Sequence, residues 1–121
     1  MYSSQIADFD ILRVLAFGSI SATYAKIGTA LTHSTRLFCV SNNTDGDMVV
    51  TWTNGSTPAS DGTADKLFVP AGGFKLIDVS TNKNQLDSAF LLLIGDQFWV
   101  RYLSAPSKNS VYLETMYGVG E

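Results

Sequence analysis

Residues 36–53 read RLFCVSNNTDGDMVVTWT, two short β-type runs separated by a cluster of Asn, Thr, Asp and Gly. In the second run Met48, Val50 and Trp52 share one parity, and Val49, Thr51 and Thr53 share the other. That alternation predicts a strand with one face in a core and one in water. Asp45-Gly46 between the two runs is a hairpin signal. The same pattern continues to Tyr117 through LFVP, FKLIDV, AFLLLI, QFWVRYL and SVYLETMY, each ended by Gly, Asn, Asp or Pro. Short runs at this spacing predict an all-β fold: an antiparallel β-sandwich or jelly-roll of about seven to nine strands with little helix.

Working outward, Gly95-Asp96 predicts a two-residue hairpin between AFLLLI and QFWVRYL. The five apolar residues from Phe90 to Ile94 imply a strand covered on both faces. Pro70 suits a strand end, because it has no N–H to donate to a ladder. Ser80 to Ser88 is polar, with room for one helical turn. Upstream, Ile11 to Phe17 reads as a further strand, although so short a run does not decide by periodicity alone. The polar segment Met1 to Asp10 precedes the first apolar run and is expected to be a mobile arm, with residues 11–121 forming one β-sandwich domain.

Composition restricts function. Of 121 residues, 16% are charged and 45% hydrophobic, and the net charge is −3. The basic residues Arg13, Lys26, Arg36, Lys66, Lys75, Lys83, Arg101 and Lys108 are scattered, whereas nucleic-acid binding needs a concentrated basic face. No nucleic-acid partner is expected. The apolar run Ala89–Ile94 is far too short to cross a bilayer, so no membrane partner is expected either. Cys39 is the single cysteine, which excludes an intrachain disulfide, and its place in RLFCV reads as a core thiol. A surface rich in hydroxyls and amides rather than Lys and Glu points to a protein that buries much of itself in an assembly.

Little in the chain could do chemistry. His33 is the one imidazole available as a base, and it lies in a polar connection without a nucleophile-elbow pattern. Asn42 to Asp47 is dense in oxygen side chains, but it lacks the downstream bidentate glutamate of a calcium loop and reads as turn chemistry. No catalytic residue, metal or cofactor is therefore assigned, and the chain is not read as an enzyme. Arg101 is a plausible cross-strand ion-pair partner for Glu114. The candidate interface residues are Trp99 with Arg101, which form a potential hot spot if their face is uncovered. To these are added Asn54, Pro58 and Asp61 of the long polar loop, Gly72 and Phe74 of the next turn, and Tyr2 and Ile6 of the arm.

Three segments carry a family resemblance: RLFCVSNNTDGDMVVTWTNGS, LFVPAGGFKLIDVSTNK and FWVRYLSAPSKNSVYLETMYG, with SISATYAKIGTAL upstream. In these the chain resembles small virion proteins of tailed bacteriophages, over most of its length after Arg13. The resemblance implies a β-sandwich protein of the virus particle, most simply a capsid cement (decoration) protein. Its partners would be the major capsid protein and further copies of itself as a homodimer or homotrimer, assembled in the host cytoplasm. A place on the tail or at the head–tail junction is the nearest alternative, and a carbohydrate-binding, receptor-recognising module the next. The match departs at Lys108-Asn109-Ser110, where glycine is expected before Ser-Val-Tyr. Asparagine tolerates the left-handed conformation that such a turn needs.

Overall fold

The computed structural model describes residues 6–78 and 92–119, and over these the chain is an antiparallel β-sandwich. Its strands are β1 (Ile6–Phe9), β2 (Arg13–Ala16), β3 (Ala25–Lys26), β4 (Leu37–Asn42), β5 (Met48–Thr53), β6 (Leu67–Val69), β7 (Phe74–Asp78), β8 (Gln97–Tyr102) and β9 (Ser110–Val119). One sheet has the order β1-β9-β4-β7, with β2 also on β9; the other has the order β3-β8-β5-β6. We call them the first and second sheets. The single helical element among the described residues is a 3-10 turn at Phe17–Ser19.

The core forms where the inward parities of the two sheets meet. Phe38 and Val40 of β4, Val111 and Leu113 of β9, Met48 and Val50 of β5, and Phe98 and Val100 of β8 are all buried in one cluster. Phe38 and Phe98 meet edge to face with centroids 5.0 Å apart, and Trp52 lies 5.5 Å from Phe38. These ring contacts add to the hydrophobic gain of burying each side chain.

β4 and β5 do not form the expected hairpin. β4 pairs with β7 and β9, whereas β5 pairs with β6 and β8, so the Asp45-Gly46 segment carries the chain from one sheet to the other. The buried side chain of Asn42 explains the crossing. Its Nδ2 donates to the carbonyls of Gly46 (2.9 Å), Val69 (3.0 Å) and Pro70 (3.2 Å). Its Oδ1 accepts from the N–H (3.0 Å) and hydroxyl (2.6 Å) of Thr44. A Cβ on Gly46 would stand 2.2 Å from the Ser104 carbonyl oxygen, so only glycine fits this approach.

The expected N-terminal arm is in part a strand. β1 pairs with the Met116–Val119 end of β9 and β2 with its Ser110–Leu113 end, so the two follow each other along one edge. Residues 1–5 of that arm, including Tyr2, lie outside the described residues. At the kink between β1 and β2, Arg13 is buried. Its Nε donates to Thr29 O (2.6 Å), Nη1 to Ile11 O (3.0 Å) and Nη2 to Ala30 O (2.9 Å), while Asp10 Oδ2 lies 3.4 Å from Nη2. Asp10 also accepts from Ile11 N (2.7 Å) and from the Thr32 hydroxyl (2.9 Å). Burial alone would raise the Asp10 carboxyl, but these donors and the nearby guanidinium hold it at about 2.

The Gly95-Asp96 turn likewise serves another purpose than a hairpin. Asp96 N bonds Leu93 O (3.0 Å), but the residues before the turn bond the 31–35 segment through Gly95 N to Leu31 O and Thr35 N to Leu92 O. β8 pairs instead with β3 and β5. Leu93 and Ile94 are exposed at 47% and 64%, so the coverage on both faces expected for Phe90–Ile94 fails at that end. Residues 89–91, and the possible helical turn in 80–88, lie outside the described residues.

Replacing Asn42 with alanine strips two buried carbonyls and a part-buried one of a donor, and two Thr44 donors of an acceptor. Chemical denaturation should show a loss of about 3 kcal/mol, several times that of an average surface substitution. The Asp10 carboxyl, depressed when folded, stabilises the protein above the ordinary carboxylate range and loses that effect as pH falls towards 2. Because one unit corresponds to 1.36 kcal/mol, denaturation between pH 5 and about 2 should show a decline of about 2 kcal/mol that Asp10→Asn removes.

Candidate functional site: the outer face of the first sheet

The two outer faces of the sandwich differ. On the second sheet, Val49, Trp99 and Tyr24 form a buried cluster against which Ala64 packs. Arg101 binds Asp65 in a two-point contact, Nη2 to Oδ2 at 2.6 Å and Nε to Oδ1 at 3.2 Å. The Tyr24 hydroxyl donates to the same carboxylate, and the Arg101 guanidinium carbon lies 5.6 Å above the Tyr24 ring. The Arg101 hydrogen bonds hold the Asp65 carboxyl low, while burial and Asp65 push the Tyr24 phenol up. Loop 54–66 is thus tied over this sheet.

That roof changes the reading of several residues. Trp99 is only 8% exposed, and its indole N–H donates to Thr53 Oγ1 at 2.9 Å. The uncovered face on which a Trp99–Arg101 hot spot depends is absent. Arg101 and Glu114 stand on different sheets, so the anticipated pair does not form; Arg101 is drawn to Asp65 of the roof instead. β5 is buried on both parities from Met48 to Thr51, against the expectation of a wetted face. In the roof, Pro58 is buried, Asp61 caps Thr63 (N–H at 3.1 Å) and Asn54 Nδ2 donates to Asp96 Oδ1 at 2.8 Å. Gly72 turns the chain at φ 74°.

A cleft of about 250 Å³ lies between residues 55–57 and 95–97, beside Lys26, Thr53, Gln97 and Trp99. A sugar platform needs an exposed aromatic face, and Trp99 does not offer one. The remaining chemical candidates are committed to structure. The Thr32 hydroxyl donates to Asp10 and lies 3.1 Å from His33 Nδ1, while the His33 ring stacks on Tyr117 at 3.6 Å. A hydroxyl already given to a carboxylate is not poised to be deprotonated by that histidine. In the Asn42–Asp47 turn, Asp45 accepts from Ser107 N (2.7 Å) and Asp47 from Ala71 N (3.0 Å), so these oxygens serve backbone donors. Among the described residues no group of three or more His, Cys, Asp or Glu is placed to hold a metal ion.

The first sheet presents the opposite case. In β4, Phe38, Val40 and Asn42 are buried, so Leu37, Cys39 and Ser41 face outward. Register extends each position into a row across the sheet. Leu37 aligns with Asp78, Met116 and Phe9; Cys39 with Leu76 and Glu114; and Ser41 with Phe74, Tyr112 and Val14. Phe9, Val14, Phe74 and Leu76 are exposed at 61%, 42%, 64% and 57%. No arginine or lysine belongs to these rows. Glu114 sits at their centre, exposed, and makes no hydrogen bond or ion pair among the described residues. Isolated apolar residues are normal on a surface, but a contiguous apolar sheet face is a mark of an interaction site.

Of the candidate interface residues, Phe74 lies on this face. Ile6 lies on the adjoining end of β1, opposite Val119, and is placed by its backbone alone. Cys39, read as a core thiol, is half-buried on the outer parity, and the sequence reading passes over Leu76, Met116, Val14 and Phe9. The signal was present in FKLID, where Phe74 and Leu76 share one parity and Ile77 packs inward on the other. Compared with protein-family models, curated proteins and solved structures, the chain matches none of them.

Removing the anchor of the roof should be costly. Asp65→Ala leaves a half-buried guanidinium without its carboxylate and should lower stability by about 2 kcal/mol, against about 1 kcal/mol for Tyr24→Phe. Thermal or urea unfolding of both variants compares the two losses directly.

Proposed function

We propose that this chain is a structural binding module of a virus particle, a cement that adheres to the major capsid protein through the outer face of its first sheet. The observation that carries the reading is the asymmetry of the sandwich among the described residues: one outer face is roofed and ion-paired, while the other is largely apolar, with Phe9, Val14, Phe74 and Leu76 exposed. The low content of charged residues and the turn motifs resembling phage virion proteins support the same reading.

The size of the face suits such a role. Four strand widths at about 4.8 Å and roughly 25 Å of strand give an area of about 500 Å². Stable pairwise complexes bury about 800 Å² per partner. One contact of this size is weak. A homodimer or homotrimer touching several capsid subunits of a lattice gains avidity from effective concentration without any new contact.

The test is quantitative mass spectrometry of particles purified from cells that make the chain. A simple ratio to the major capsid protein is expected, and Leu76→Asp should lower it at least tenfold while the variant unfolds at the wild-type midpoint. A few copies per particle would place the chain at the tail or the junction; absence from particles would sink the virion reading.

A further inference from the structure

The geometry points to a specific occupant for the bare face: the apolar surface of a different protein that brings a lysine or arginine to Glu114, not a second copy of this chain. This deepens the reading of that face as the docking surface, and rests on it. The argument is one of charge. Glu114 stands in the middle row, on β9 between β4 and the β1–β2 edge, with Cys39 beside it on β4, Leu76 beyond Cys39 on β7, and Tyr112 and Met116 before and after it on its own strand. Covering the face removes water from that carboxylate, and a buried charge without a partner is strongly disfavoured.

A symmetric dimer through this face cannot supply the partner. In an isologous contact both sides use the same patch, and these rows contain no cation on either copy. Two carboxylates would instead approach each other across a desolvated centre. Glu114 thus sets both register and choice of partner: it opposes self-association and rewards a surface whose cation falls at one position. Further copies of the chain can still associate through other surfaces.

Cys39, the only cysteine, lies beside Glu114 in the same row and reports on this face directly. The probe is the chain itself carrying Glu114→Lys, which presents the same apolar face with a cation at its centre. Alkylation of Cys39 by iodoacetamide is measured for wild type, for Glu114→Lys and for an equimolar mixture, at sub-millimolar concentration. The inference expects brisk, concentration-independent reaction of each protein alone and at least threefold slower reaction in the mixture. High salt should reverse the slowing, and Leu76→Asp in both chains should abolish it.

An unslowed mixture overturns the inference. Protection of wild type alone that grows with concentration would place a second copy on the face. A thiol that stays unreactive at every dilution would mean that a segment of the chain itself covers it. None of these outcomes depends on virus particles, so the inference and the virion reading fail separately. In particles, Glu114→Lys should cut incorporation at least thirtyfold. Unchanged incorporation beside a failing Leu76→Asp would overturn the charge requirement and leave the docking face standing.

Discussion

The crossing at Asn42 governs the rest of the structure. A buried amide that donates to three carbonyls and accepts twice holds the chain in an arch between β4 and β5. Because the arch joins the two sheets, Phe38 and Val40 of β4 point into the same interior as Met48 and Val50 of β5. A hairpin at Asp45-Gly46 would have laid the two strands side by side and put both outward parities on one surface. The arch sends them to opposite sides of the molecule. Everything that distinguishes the two outer faces follows from that separation.

Each outer face then meets a different fate. The parity of Val49 and Trp99 is covered by Tyr24 and the loop that Asp65 and Arg101 hold in place. On the other face Leu76 is exposed and Cys39 half-buried, and no described segment is tied over them as the loop is over Trp99. At roughly 25 cal/mol for each Å² of apolar surface removed from water, a bare face of this size is a reserve of binding free energy that folding has not used. The main core does not draw on it, because its residues come from the opposite parity of the same strands. The side chains that build the core and those that the outer face presents therefore belong to opposite parities of shared strands.

Strand positions and turn chemistry were legible in the sequence because both are local. The runs in 36–53 became β4 and β5, and Asn109, where glycine was expected, adopts φ 67° as its turn requires. Partnership between strands was not legible. Asp-Gly is compatible with a hairpin and with an arch, and the choice rests on carbonyls of residues 69 and 70 that reach Asn42 from far along the chain. The same limit produced the exchange of Trp99 for Leu76 as the exposed site. Period-2 alternation assigns residues to two faces, but whether a loop lies over one of them depends on a contact such as Arg101 with Asp65, thirty-six positions apart. The strand in Ile6–Phe9 was hidden for a related reason: a short polar segment becomes a strand only because the edge of β9 is there to pair with it.

An uncovered apolar sheet is ordinarily a hazard, since it invites contact with any other apolar surface. A carboxylate at its centre changes the balance without disturbing the fold. Glu114 lies on the outward parity of β9, between the buried Leu113 and Thr115, so its charge is never brought into the core. In the free protein it is hydrated at little cost. Against an unselected apolar surface it must be dehydrated with nothing in return, and that penalty offsets part of the gain from burying the residues around it. Only a surface with a cation at the matching place recovers both. One exposed glutamate can therefore convert a sticky face into a selective one, while the strands beneath it keep the shape that the core requires.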